Sequence, residues 1–500
     1  MGGRLFIQGP DLMRALDVYT GRILWETELK GVGTFFDNTA HQPGANSLGG
    51  NFVSTMERVY VIHGRGLQCL DAETGRRVGE WTVPAAAGEK EPPEWGTLAV
   101  SGDFIVACVR PMVFESSKGK AGWGESWDRT SSRTLAVLNR KTGALVWSRD
   151  AAQGFIHNTL AVGPDRLFCI DGHRPGVVAA MKKKGQAPQG TPKLLCLDLS
   201  RGEVLWAQEA DVFGTWLGYS AERDVLIQSG RRSRDTLPDE PDKRVIAYRG
   251  KDGARLWDKP IETGGPPMLR GPLLITQQSA YELSSGDPYL RKDPLTGLPA
   301  PFRVSRNYGC NAMIGSEHLL TFRSAAAGFF DLTRDGGTGN FGGFKSGCTS
   351  NLIAADGILN APDYTRTCVC SYQNQTSLAM IHAPEVEMWT FSDVQPVPGP
   401  VVAAGLNFGA PGDRRADNGT FWMEYPKVGG PSPDLEVSVE PAKPEWFRKH
   451  SARLSGDGLR WVAASGGKGL AAVKVRLVPG KEAHGERSYT VRLVFSEPIR

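Results

Sequence analysis

The sequence predicts an all-β fold, a seven- or eight-bladed β-propeller followed by a partial β-sandwich. The main observation is a repeated pattern: an apolar strand, an acidic or polar residue, a glycine-centred turn, and a strand that ends in tryptophan. Five segments carry it, and their tryptophans stand 51 to 66 residues apart: Trp25, Trp81, Trp147, Trp206 and Trp257. This spacing accommodates about four short strands with their loops, the size of one propeller blade. A composition rich in turn residues, with Gly 61 and Pro 33, supports the same prediction.

The turns and tryptophans have separate structural roles in each repeat. Pairs such as Thr20-Gly21 and Asp252-Gly253 allow a positive φ at the hairpin, and the large indole rings are expected to pack between neighbouring blades. Ser285-Gly286 is a further turn without a following tryptophan. Strand-like runs at 319–322, 328–332 and 377–381 extend the all-β pattern to about Phe391.

The charge and hydropathy of the chain exclude two classes of partner. The chain has 58 lysines and arginines and 54 aspartates and glutamates, a net charge of +4. This positive charge is too dilute to indicate nucleic-acid binding. No apolar run reaches the roughly 18 residues needed to cross a bilayer. The basic run at residues 182–184 lies among Gly, Pro and Gln and is interpreted as a solvated loop.

A change of composition divides the chain. We expect a propeller at 1–394, a Pro/Gly linker at 395–404 and a sandwich at 405–500, with alternating strands at 435–439, 472–477 and 489–495. The first repeat lacks a preceding strand and the last strand ends near Arg500, which suggests a trimmed or incomplete chain. No signal peptide is present, and a trimmed exported protein, periplasmic or extracellular, is favoured over a cytoplasmic one.

Two resemblances add to this interpretation. The five repeats resemble the pyrroloquinoline-quinone-type β-propeller family, which includes quinoprotein alcohol dehydrogenases and outer-membrane assembly lipoproteins. Segments 307–311, 346–351 and 361–368 are similar to propeller proteins of planctomycete-type bacteria. Residues 405–409 and 489–498 resemble malectin-like sandwiches, which implies carbohydrate binding. Aromatic residues of this domain are candidates for stacking on a glycan, with core packing as the alternative: Phe421, Trp422, Tyr425 and Trp461.

The eight cysteines divide into two groups. Four occupy apolar strands and are interpreted as inert core residues: Cys69, Cys108, Cys169 and Cys196. The others fall within 61 residues of irregular sequence: Cys310, Cys348, Cys368 and Cys370. Disulfide bonding is preferred for this second group, with unpaired buried thiols and metal or redox chemistry as alternatives. No metal site is assigned.

The propeller resemblance also implies a quinone or substrate site in the central channel, built from the late, less regular segment. Arginine binds carboxylates in bidentate fashion, and the quinone carries several carboxylates. Candidate cofactor ligands are Arg323, Asn351, Tyr364 and Arg366, with Asp363 as the candidate catalytic residue. The sequence departs from the dehydrogenases, since Cys368-Val369-Cys370 replaces their adjacent cysteine pair and no stretch matches their calcium ligands.

The sequence therefore favours a binding or scaffold module for a protein or carbohydrate over an enzyme. The alternative is a quinoprotein dehydrogenase for alcohols or sugars, which would use pyrroloquinoline quinone with calcium.

Overall fold

The chain folds as a β-propeller followed by a smaller β domain. The computed structural model describes residues 1–32, 49–115, 127–232, 240–309, 312–344, 352–361, 378–383, 386–393, 395–478 and 487–496. No helix in these ranges is long and apolar enough to span a membrane.

The first four blades occupy the N-terminal half and consist of antiparallel strands. The first blade contains β1 (Arg4–Gly9), β2 (Leu12–Asp17) and β3 (Ile23–Glu28). The second contains β4 (Phe52–Ser54), β5 (Arg58–His63), β6 (Gly66–Asp71) and β7 (Arg77–Trp81). The third contains β8 (Trp95–Ser101), β9 (Phe104–Glu115), β10 (Trp127–Asn139) and β11 (Leu145–Ile156). The fourth contains β12 (Ala161–Val162), β13 (Arg166–Asp171), β14 (Lys193–Asp198) and β15 (Val204–Gln208). A single pair, Phe155 with Asp171, joins the third and fourth blades into one continuous sheet.

Four further blades complete the propeller within the described residues. The fifth contains β16 (Trp216–Ser220), β17 (Val225–Ser229), β18 (Val245–Arg249) and β19 (Arg255–Lys259). The sixth contains β20 (Met268–Arg270), β21 (Leu273–Ile275) and β22 (Ala280–Glu282), with an added hairpin of β23 (Leu290–Lys292) and β24 (Pro299–Pro301). The seventh contains β25 (Ile314–Gly315), β26 (Leu319–Ser324), β27 (Ala326–Asp331) and β28 (Thr338–Asn340). The eighth contains β29 (Ile353–Ala355), β30 (Ile358–Ala361) and β31 (Leu378–Ile381). Strand β32 (Thr390–Phe391) then returns to pair with β28.

The repeat tryptophans join successive blades, as the sequence predicts. The indole N–H of Trp25 donates to the Ala72 carbonyl of the second blade at 3.1 Å, and its ring packs on Gly75 in the turn of that blade. The same contact to a turn glycine recurs for the rings of Trp81, Trp147, Trp206 and Trp257, at Gly143, Gly202, Gly253 and Gly286. The predicted turn at Ser285-Gly286 is therefore present and receives the fifth ring.

The last blade meets the first through the turn between β29 and β30. Asp356 accepts the backbone N–H of Gly3 through Oδ2 at 3.1 Å, and its carbonyl accepts the Tyr19 hydroxyl at 3.2 Å. These contacts bring the first blade, which has no innermost strand among the described residues, against the eighth.

The antiparallel order of the strands gives the propeller two different faces. Turns between first and second strands and between third and fourth strands lie on one face, and they are short. Connections between second and third strands, and from blade to blade, lie on the opposite face and include the longer segment 172–192. We call this the long-loop face. It carries the 3₁₀ helix His157–Thr159 and helix α1 (Pro175–Lys183).

Helix α1 corrects one expectation from the sequence. The basic run at 182–184 was expected in a loop, but Lys182 and Lys183 form the last turn of α1, and Lys184 is its C-cap. Pro175 is tolerated because it stands at the helix start, where its missing N–H costs nothing. The three lysine side chains are exposed, in agreement with a solvated segment.

The C-terminal domain consists of three small sheets in the described residues. The first contains β33 (Gly405–Phe408), β34 (Arg414–Arg415) and β35 (Phe421–Tyr425), with β33 and β35 parallel. The second pairs β36 (Val437–Glu440) with β39 (Ala472–Val475), and the third pairs β37 (Glu445–Arg448) with β38 (Ser465–Lys468). The 3₁₀ helix Ser451–Arg453 and helix α2 (Arg460–Ala463) complete the domain.

The prediction of a strand at 489–495 is wrong. Residues 487–496 form no strand, and the alternating side chains are exposed, including Val491 at 77% and Phe495 at 85%. A strand needs a hydrogen-bonding neighbour, and no described sheet edge pairs with this segment. The alternation of apolar residues is therefore not enough to form a strand here, because no neighbouring strand pairs with the segment.

Candidate functional site

The C-terminal domain brings together three tryptophans and one arginine. Trp422 lies on β35, Trp461 on α2, Arg414 on β34, and Trp389 directly before β32. We call Trp389, Trp422 and Trp461 the tryptophan cluster. All four residues are half-buried. The cluster thus combines secondary-structure elements far apart in sequence at the border between the propeller and the C-terminal domain.

Trp461 is at the centre of the cluster. Its ring centroid lies 5.8 Å from that of Trp422 and 6.0 Å from that of Trp389, with interplanar angles of 82° and 80°. Edge-to-face contacts of this kind suit the aromatic quadrupole and contribute about 0.5 to 1.5 kcal/mol each beyond simple burial. The cluster is therefore held as a defined aromatic surface.

The backbone supports the position of Trp422. Its indole ring lies against Gly405 on the neighbouring strand, where an added Cβ would be 2.3 Å from the ring. Asn407, on the same strand, donates to the Trp461 carbonyl at 3.5 Å and accepts from the Ser465 hydroxyl at 3.0 Å. Strand β33 thereby fixes both Trp422 and the backbone of α2.

Arg414 completes the cluster. Its guanidinium carbon lies 4.8 Å from the ring centroid of Trp461, within the range of a cation–π contact. Burial lowers the pKa of Arg414 from its usual value, and the nearby charge of Arg334 acts in the same direction. An arginine next to aromatic rings can bind an anionic or hydroxyl-bearing ligand that packs on those rings.

The structure separates the four aromatic candidates. Trp422 and Trp461 lie in the tryptophan cluster. Phe421 is 3% exposed and packs in the core with Leu295 and Met423, so it offers no ring face to a ligand. Tyr425 belongs to a second aromatic group, with its ring centroid 5.8 Å from Phe408 and 6.0 Å from Trp446.

Sequence reasoning missed Trp389 and Arg414. Trp389 stands in the predicted propeller, and Arg414 is one of two adjacent arginines with no aromatic residue beside it in sequence. Arg414 lies opposite Trp422 in the antiparallel pairing of β34 with β35. The pairing of Thr390 with Asp413, directly before β34, brings Trp389 to the same place. The proximity of an Arg-Arg pair to Trp422 was the available signal.

In the propeller, Arg323 is the quinone candidate that lies within the described residues. It is 7% exposed on the long-loop face, its Nε donates to the Ala325 carbonyl at 3.3 Å, and its guanidinium carbon lies 5.4 Å from the Tyr308 ring centroid. The other candidates lie outside the described residues: Asn351, Asp363, Tyr364 and Arg366. So do Cys310, Cys348, Cys368 and Cys370.

The described residues do not by themselves fit a quinone with calcium. Arg323 is engaged with its own loop and with Tyr308, and no group of three or more acidic, histidine or cysteine side chains suited to a metal ion occurs in the described ranges. The quinone site stays a prediction that depends on residues outside those ranges.

Other polar groups on the long-loop face are buried within the structure. Ser132 lies 2.7 Å from the His157 ring nitrogen, and both residues are almost inaccessible. Arg231 donates from Nε to the Thr215 hydroxyl at 3.0 Å, and burial lowers its pKa to about 10. The first contact joins the third strand β10 to the segment before β12, and the second joins the segment after β17 to the segment before β16, so we interpret both as structural.

The four cysteines assigned to the core are buried free thiols: Cys69, Cys108, Cys169 and Cys196. Burial raises the pKa of Cys69 to about 12 and that of Cys196 to about 12. A thiol must ionise to act as a nucleophile, so these residues pack in the propeller rather than react.

The blades and their repeated tryptophan contacts define the class of fold, a β-propeller. Residues 131–286 match the family model described as outer membrane protein assembly factor BamB. BamB of Yersinia pestis is 25% identical to this chain over 303 residues, which cover 54% of the chain and 68% of BamB.

Two solved structures match parts of this chain. BamB from Moraxella catarrhalis is 17% identical, with a TM-score of 0.36, over 65% of this chain and 80% of that one. The computationally designed Ika8 protein is 12% identical, with a TM-score of 0.40, over 72% of this chain and 90% of that one.

Proposed function

We propose that this protein is an exported bacterial binding or scaffold module. Its propeller, 1–394, binds a protein partner of the cell envelope. Its C-terminal domain, 405–500, follows a linker at 395–404 and binds carbohydrate. The observation that carries the proposal is the similarity to BamB, a protein named as an outer membrane protein assembly factor, over 303 residues.

The long-loop face is the surface we assign to the protein partner. Binding residues concentrate on loops that a rigid scaffold positions, because loops tolerate change while strands must pack. The opposite face consists mainly of short turns, several of which are occupied by tryptophan docking. The exposed part of α1 rises from the long-loop face and provides a surface for contact.

The tryptophan cluster is the surface we assign to carbohydrate. Aromatic rings suit the apolar faces of sugars, while an adjacent polar group fixes orientation. Trp389 and Trp461 are half-buried, so part of each residue remains accessible, and Arg414 supplies hydrogen-bond donors beside them.

The protein partner can be tested by crosslinking in cells that express the full chain. A photo-crosslinking residue at Gln186, exposed on the long-loop face, should capture one defined envelope protein. The same residue at Arg22, exposed on the turn face, should not. Capture from both positions, or from Arg22 alone, would reject the assignment of the face.

Carbohydrate binding can be tested by native affinity electrophoresis of the full chain in gels that contain a soluble polysaccharide. Trp461→Ala should abolish the retardation seen with the unchanged protein. Trp446→Ala removes a tryptophan from the second aromatic group of the same domain and should leave the retardation unchanged. Equal loss in both variants would indicate a general effect on folding.

A further inference from the structure

Arg414 is half-buried, and its guanidinium lies next to an aromatic ring. Its backbone pairs with that of Trp422 in the sheet, and its guanidinium lies over the Trp461 ring but makes no hydrogen bond or ion pair with any described residue. Neighbouring Arg415, in contrast, donates to the carbonyls of Arg334 and Asp335 and pairs with the Asp335 carboxylate at 3.6 Å. A half-buried guanidinium without an acceptor favours an anion that can reach it.

The acidic groups around Arg414 have other partners. Asp417 pairs with Arg334 at 3.8 Å. The negative charge of Glu387 acts to raise the pKa of Arg414. Its carboxylate, however, accepts the backbone N–H of Ser451 and forms no ion pair with the arginine. Both carboxylates favour the charged form of Arg414 through space, but neither forms an ion pair with its guanidinium, so the guanidinium N–H donors at the border of the aromatic surface have no carboxylate acceptor among the described residues.

We propose that Arg414 and the tryptophan cluster form a subsite for an acidic sugar, one whose ring carries a carboxylate or a sulfate. This inference rests on the carbohydrate-binding part of the proposed function and specifies its ligand class. The indole rings provide the apolar contact, and the guanidinium provides a charge-assisted hydrogen bond to the anionic substituent. A neutral sugar makes only the first of these contacts.

The test uses polymers that share a backbone and differ in charge. The full chain is titrated with dextran, carboxymethyl dextran and dextran sulfate, and then with hydroxyethyl cellulose and carboxymethyl cellulose, at 150 mM salt. We expect at least one charged derivative to bind about tenfold more tightly than its neutral counterpart, since one charge-assisted contact is worth about this factor. The carboxymethyl and sulfate arms identify the preferred anion.

Two arginine variants separate a specific contact from general attraction to a polyanion. Arg414→Gln should reduce binding of the charged derivative to the level of the neutral polymer, with neutral binding unchanged. Arg448→Gln, an exposed arginine of the same domain, should leave both affinities unchanged. Circular dichroism of the two variants checks that each is folded.

The outcomes distinguish the inference from the function on which it rests. Equal binding of neutral and charged polymers, or equal losses in the two arginine variants, overturns the acidic subsite and leaves carbohydrate binding in place. Absence of binding to every polymer overturns both.

Discussion

At the scale of single residues, Asp413 is an unusual buried carboxyl group at the domain border. It is fully buried, and its Oδ1 accepts the backbone N–H of Glu424 at 3.0 Å and the Ser432 hydroxyl at 2.8 Å. Its Oδ2 has no hydrogen-bond partner. Burial raises the pKa of Asp413 to about 7, and the negative charge of Glu424 adds to the effect. The folded protein therefore holds this proton over a pH range in which the unfolded chain releases it.

This proton makes stability depend on pH in a defined direction. Between about pH 4 and pH 7 the folded state binds more protons than the unfolded state, so the Asp413 contribution to the free energy of unfolding falls as pH rises. Asp413→Asn mimics the neutral form and should remove this slope. At pH 8 the variant should be more stable by up to about 4 kcal/mol, and at pH 4 the difference should vanish.

Thermal melting at pH values from 4 to 8, monitored by tryptophan fluorescence, measures the difference in stability between the unchanged protein and Asp413→Asn. Asp434→Asn is the matched control, because Asp434 is an exposed carboxylate of the same domain paired with Lys427. Parallel melting profiles for the unchanged protein and Asp413→Asn would show that Asp413 titrates normally.

At the scale of elements, the contact between a tryptophan and a turn glycine holds each blade against the next. Gly143 has φ +73°, and a Cβ added to it would lie 0.9 Å from Trp81 Cδ1. Gly21 occupies the equivalent Thr-Gly turn of the first blade with φ +69°, and no atom lies within 4 Å of its added Cβ. The two glycines thus share a conformation and differ in packing.

This pair allows the docking contact to be measured separately from backbone strain. Gly21→Ala should lower the free energy of unfolding by about 1 kcal/mol, because a residue with a Cβ is strained in a left-handed conformation. Gly143→Ala carries the same penalty and must also displace the indole, so we expect a total of roughly 3 to 4 kcal/mol. Urea denaturation of both variants gives the comparison, and equal losses would mean that the indole moves aside at no cost.

The repeats also show which parts of the molecule are predictable from sequence. The turn and tryptophan of the first five repeats are local signals, so the positions of Trp25 to Trp257 could be predicted from their spacing, whereas the later strands were predicted from apolar runs. Within the tryptophan cluster, the position of Trp389 depends on the Thr390–Asp413 pairing across distant segments, which no local pattern encodes. Trp422 and Trp461 were predicted from residue type. Arg414 lies in a short hairpin with Trp422 and was within reach of a local signal, whereas Trp389 required the fold.

At the scale of the whole molecule, the propeller contributes directly to the core of the C-terminal domain. Leu295, in the turn between β23 and β24, is 1% exposed and packs with Val401, Phe421 and Met423. The same turn binds the segment that follows the propeller, since the Leu295 carbonyl accepts the Val402 N–H at 2.7 Å and Asp293 accepts the Val397 N–H at 3.0 Å. Because these contacts fix that segment, we expect the two parts to unfold together.

Leu295→Ala tests this coupling. Removing a buried leucine side chain typically costs 2 to 5 kcal/mol, and here the loss falls on the contact that joins the two parts. Calorimetry should show a single transition for the unchanged protein and an earlier, separate transition of the C-terminal domain in the variant. Leu298→Ala, at a 39% exposed position of the same hairpin, should keep the single transition. An unchanged thermogram for Leu295→Ala would mean that the Leu295 side chain does not couple the unfolding of the two parts.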